Sequence, residues 1–142
     1  MPILAALPLT LLPFAAFNLA AFGFLGSSAG DPWAMPVISI SLVSGAGFTL
    51  LIGDLMIVAG LIFLFIEILK ATRIGTASLV DHILSTLVLI AYLVEFLAIP
   101  EAAHSVFFIL TVIALIDVIA GFSITITGSR RDVAFGNSDL HH

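Results

Sequence analysis

Residues 47–69 read GFTLLIGDLMIVAGLIFLFIEIL, an apolar run interrupted by two acids, Asp54 and Glu67, and by no base. A helix of about 20 such residues crosses the roughly 30 Å hydrocarbon layer of a bilayer. Three further stretches meet the same criterion, at about 2–25, 79–99 and 102–127. The composition agrees. Charged residues make up 9% of the 142 and the hydrophobic set 61%, with a mean hydropathy of +1.30. A water-soluble domain carries about 25% charged residues. No segment shows the ten-residue alternation of a membrane β-barrel along its whole length. The predicted fold is therefore an all-α integral membrane four-helix bundle. Residues 1–131 form its single transmembrane domain, and 132–142 a polar cytoplasmic tail.

Topology follows from the basic residues. Lys70 and Arg73 lie between the second and third spans, and Arg130 and Arg131 follow the fourth. Segments 26–46 and 99–103 have none. Positive residues mark cytoplasmic loops, so both termini are expected in the cytoplasm and the chain in a bacterial inner (plasma) membrane. Ser27-Ser28-Ala29 has the small residues of a signal cleavage site. The run before it, however, lacks Lys and Arg and exceeds the usual h-region of about 7–15 residues, so it is read as a retained span.

The first linker, GSSAGDPWAMP at 26–36, is turn-rich, with Trp33 expected as a headgroup anchor. Ile38, Ile40 and Leu42 alternate with Ser39 and Ser41, a strand-like period. An exposed strand edge does not sit in hydrocarbon, so this piece is expected in the interface or on the bundle mouth. His141 and His142 receive no functional reading.

Charges inside a membrane are costly and need a partner or a purpose. Four have a structural reading. Glu67 precedes Lys70 by three residues, so the two pair on one helix face at the cytoplasmic edge. Asp81 follows Ser78 by three, the pattern of a helix N-terminus, with His82 beside it in the same first turn. Glu101 follows Pro100, where a helix start favours an acid.

Asp54, Glu95 and Asp117 have no base at comparable depth. They are the candidate proton- or cation-binding groups, with His104 near the outer mouth. Asp117 shares a helical face with Ala114, Ala120 and Gly121, small residues that admit a neighbouring helix; Asn18 and Thr111 are its expected partners. Gly53 and Gly60 lie on one face and are read as packing positions.

No cysteine is present, which removes disulfides and thiolate chemistry. His82 and His104 fall at opposite ends of successive spans and cannot share a haem. There is no zinc-protease or nucleophile-elbow motif. No catalytic residue, cofactor or metal site is assigned, and the chain is not expected to be an enzyme. With four Lys and Arg in all, nucleic acid is not an expected partner; the bilayer and a homo-oligomer or larger membrane complex are. The function expected is a proton- or cation-conducting transporter or channel. The alternative is a non-enzymatic scaffold or accessory subunit of a larger complex.

Overall fold

The computed structural model describes residues 6–23, 30–72 and 76–139, with 76–77 and 128–139 as backbone alone. Its four helices are α1 (Leu11–Ala21), α2 (Ile52–Ala71), α3 (Thr76–Ala98) and α4 (Ser105–Asp139). A hairpin of β1 (Pro36–Ser41) and β2 (Gly47–Leu51) precedes α2, and short 3-10 turns occupy Pro32–Ala34 and Pro100–Ala102. Among the described residues, three stretches are long and apolar enough to cross a membrane: Ile52–Ala71, Ser78–Ala98 and Ser105–Thr127.

The first predicted span is cut short. At 11 residues, α1 reaches about 16 Å, too little to cross hydrocarbon. Two prolines explain where it begins. Residues 6–10 form turns, with Leu11 N–H donating to Pro8 O at 3.2 Å. Pro13 then stands in the first helical turn, where a missing N–H costs nothing. Ser27-Ser28-Ala29, Arg73, His141 and His142 lie outside the described residues.

The second predicted span loses its first five residues to a strand. Ser39 pairs with Thr49 and Ile40 with Phe48 in an antiparallel ladder. Gly45, at φ 86°, makes the left-handed turn between the strands, a conformation that favours glycine. Ile38, Ile40, Phe48 and Leu50 share one face and Ser39, Ser41 and Thr49 the other. The alternation expected around Ile38–Leu42 is thus part of a hairpin whose second strand is hidden in the apolar run.

Both α2 and α4 run from the hairpin end toward Lys70, while α1 and α3 run back. α4 packs along both α2 and α3. Gly60 permits the α2 contact, because a Cβ there would lie 3.0 Å from Leu110 Cδ2 and 3.1 Å from Ile113 Cδ1. Gly53 fits under Val106 and Trp33 in the same way. Trp33 is therefore buried rather than a headgroup anchor. Asp31 Oδ1 accepts the Trp33 N–H at 3.0 Å and sets the turn that lays the indole on Phe17, ring centroids 4.7 Å apart. The helix expected at 102–127 begins at Ser105, and its backbone stays helical to Asp139 through the segment expected as a tail.

Candidate functional site

The buried polar groups gather toward the Lys70 end. Glu67 is 2% exposed, Asp81 4%, His82 5% and Asp117 5%. They come from three helices: α2 supplies Glu67 and Lys70, α3 supplies Asp81, His82 and Ser85, and α4 supplies Asp117.

Lys70 is the hub. Its Nζ donates to Glu67 Oε1 at 3.0 Å, to Asp81 Oδ1 at 3.4 Å and to the Leu7 carbonyl at 2.9 Å. Glu67 Oε1 also accepts the Leu9 backbone N–H at 2.6 Å. Backbone that leaves a helix at membrane depth must find its hydrogen bonds within protein. Glu67 and Lys70 supply them to the turns ahead of α1. The expected Glu67–Lys70 pair is present, but buried and tied to the N-terminal segment. Asp81 does not act as a helix-start residue, since α3 already begins at Thr76; it faces Lys70 and adjoins Glu67.

Asp117 lies within electrostatic reach of Glu67, Asp81 and Lys70, with Ser85 beside it. Its Oδ2 is buried with no hydrogen-bond partner among the described residues. The two partners expected for it are engaged elsewhere. Thr111 donates to Phe107 O at 2.9 Å, and Asn18 Nδ2 donates to Phe14 O and Glu95 Oε2.

His82 rests one turn nearer the Lys70 end than Ser85. Its Nε2 lies 2.8 Å from Thr125 Oγ1, and its ring lies against Gly121, where a Cβ would come within 2.6 Å of it. Sequence reasoning placed this histidine at the boundary. Gly121, expected as a helix-packing position, instead makes room for this ring.

The other candidates stand at the hairpin end. Asp54 is in the first turn of α2, half-buried, and its Oδ2 accepts the Leu51 N–H at 2.9 Å. It is a helix-start acid and not a group deep in a span. Glu95 meets Asn18 at 3.2 Å. Glu101 is exposed in the turn Pro100–Ala102. His104 Nε2 is 2.8 Å from Asp31 Oδ2, while its Nδ1 accepts the Val106 N–H at 3.0 Å, so the proton resides on Nε2. That hydrogen bond, helped by the Trp33 amide, holds the Asp31 carboxyl below the usual carboxylate range.

Among the described residues no line of acids joins the two ends. Between Asp117 and Glu95 the interior is filled by Leu110, Phe107, Tyr92 and Phe17, all essentially inaccessible. The Tyr92 and Phe107 rings lie 5.2 Å apart and those of Phe17 and Phe107 4.9 Å. Tyr92 OH donates to Thr10 O at 2.9 Å and closes the layer against the start of α1. Among the described residues no three His, Asp or Glu side chains converge as a metal site would require. No family model, curated protein or solved structure compared with the chain matches it.

Proposed function

We propose that this chain is a small, non-enzymatic membrane transport protein whose Glu67–Asp81–Asp117 cluster takes up and releases protons. The observation that carries the reading is the Asp117 carboxyl, buried with one oxygen unpartnered beside two further acids. Among the described residues one ammonium, that of Lys70, pairs with Glu67 and Asp81 and acts on Asp117 at longer range. Three negative charges less one positive leave two, so the cluster is neutral only with two protons bound. Uncompensated charge in a low-dielectric interior is expensive. A proton suits the site better than a metal ion, since no chelating group of three is formed among the described residues.

In this reading the Lys70 end faces the cytoplasm of a bacterial inner membrane, because the basic residues mark that side. Protons reach the cluster from there. The Tyr92–Phe107–Leu110 layer is the barrier that a transport cycle must open, and a homo-oligomer would supply the further walls of a pathway. The test is proton flux into liposomes holding the purified protein. Wild type carries protons under a gradient and Asp117→Asn does not; equal flux in both would sink the reading.

One observation favours the accessory-subunit alternative. All of β1 and most of β2 are exposed, and the apolar face of Ile38, Ile40, Phe48 and Leu50 has little cover. Strand edges without charge invite pairing with another chain. Absence of flux under every gradient from a protein that stays folded would favour this alternative.

A further inference from the structure

We propose that His82 is the group through which Asp117 exchanges protons with the Lys70 end of the molecule, an inference that rests on reading Asp117 as a proton-binding group. Two facing columns of residues carry the argument. On α4, Asp117, Gly121 and Thr125 recur every four residues and so lie on one face; on α3, Ser78, His82 and Ser85, spaced by four and then three, also share a face. The columns meet in successive turns. Ser85 lies beside Asp117, the His82 ring beside Gly121, and Thr125 with Ser78 at His82 Nε2. Each turn advances about 5.4 Å toward the end of the helices. Toward the hairpin the same interface turns apolar, with Leu110, Phe107, Tyr92 and Leu89.

The hydrogen bonds fix which imidazole nitrogen is free. Thr125 Oγ1 donates its only hydrogen to the Gly121 carbonyl at 2.9 Å, so toward His82 it accepts. Nε2 therefore carries the hydrogen, and Nδ1, on the Gly121 side, holds a lone pair. Among the described residues, Glu67 from α2 acts electrostatically on the ring, Asp81 precedes it on α3, and Asp117 stands one helical turn from Gly121 on α4. None of them is hydrogen-bonded to it. A proton leaving the Asp117 carboxyl, directly or by way of the Ser85 hydroxyl or a water, adds to Nδ1. The imidazolium then gives up its Nε2 proton past Thr125 and Ser78 to water. One proton has moved, the ring is neutral again in its other tautomer, and rotation of the ring or the reverse transfer resets it. Gly121 is what lets the ring lie in line, because any side chain there would displace it.

The experiment follows the infrared carbonyl band of protonated Asp117, identified by its loss in Asp117→Asn, after a rapid pH jump on the full chain in nanodiscs. Expected in His82→Ala is the wild-type endpoint reached on the order of 100-fold more slowly, the usual scale for a positioned acid–base group. Added imidazole restores the rate. Gly121→Ala, which keeps every titratable group and displaces the ring, slows exchange too, and it decides the matter if His82→Ala does not fold. Wild-type rates in both variants, or slow exchange in His82→Ala that imidazole leaves unchanged, would overturn the role of His82 while Asp117 continues to titrate. If wild-type Asp117 shows no band that responds to pH, the proton-binding reading itself fails and the inference with it.

Discussion

The carboxylate of Glu67 accepts the backbone N–H of Leu9 at 2.6 Å, while Lys70, one turn along α2, holds the carbonyl of Leu7 at 2.9 Å. The two side chains grip the non-helical start of the chain from donor and acceptor sides. They also bind each other at 3.0 Å. Removing one partner of a buried pair leaves the other uncompensated, which costs about 3–5 kcal/mol. Lys70→Met is therefore expected to destabilise strongly, and to cost much less in a Glu67→Gln background. A double-mutant cycle of denaturant unfolding in micelles measures the difference; additive effects would show that the two side chains act separately.

The glycines of α2 differ in what they face. At Gly53 an added Cβ meets the Trp33 carbonyl oxygen at 3.0 Å and Val106 Cγ2 at 2.9 Å, and the backbone oxygen cannot move aside cheaply. At Gly60 the neighbours are the side-chain ends of Leu110 and Ile113, at 3.0 and 3.1 Å, which can turn aside more cheaply than a backbone oxygen. Gly53→Ala is expected to cost about 1–3 kcal/mol as overpacking. Gly60→Ala is expected to come near neutral, because the helix gains about 1 kcal/mol on replacing glycine. Thermal unfolding of the two variants gives the order.

Acid sensitivity at the hairpin end is expected to trace to Asp31. Its carboxyl is lowered chiefly by the hydrogen bond from His104 and further by the Trp33 amide. A group lowered in the folded state stabilises it above the unfolded value, about 3.9, and loses that contribution as pH falls through the folded value. Melting temperature followed from about pH 6 downward should therefore fall less steeply for Asp31→Asn than for wild type below about pH 4. Parallel curves would remove the pair from the stability of this end.

Orientation can be read from the hairpin turn. Ser44 is exposed in that turn, and the chain contains no cysteine. Ser44→Cys is expected to react with a membrane-impermeant maleimide added to intact cells. Reaction only after the cells are opened would place the hairpin in the cytoplasm and reverse the topology.

The three long helices were legible because uninterrupted apolar runs of about 20 residues admit little else. The strand Gly47–Leu51 was not, since its residues are as apolar as the helix that follows. Yet Asp54, three residues after Leu51, is a helix-start acid, and Pro13 marks the start of α1 in the same way. The unseen strand also concealed the site. Counted from Gly47, Glu67 falls about 30 Å along its helix and reaches the edge of the membrane. Counted from Ile52 it falls at about 22 Å, close to the level of Asp117, about 18 Å from Ser105. Five residues of strand thus make Glu67 look like a boundary charge, the early helix start at Thr76 does the same for Asp81, and Asp117 is left without its neighbours.

The proposed function requires Asp117 to gain and lose a proton inside the folded protein. The most direct measurement is an equilibrium infrared titration of the protein in lipid between about pH 4 and pH 9, a range that brackets ordinary and perturbed carboxyls, with wild type beside Asp117→Asn. The expected result is a carboxylic-acid carbonyl band that fades as pH rises in wild type and has no counterpart in the variant. Identical spectra from the two proteins at every pH would mean that Asp117 does not titrate.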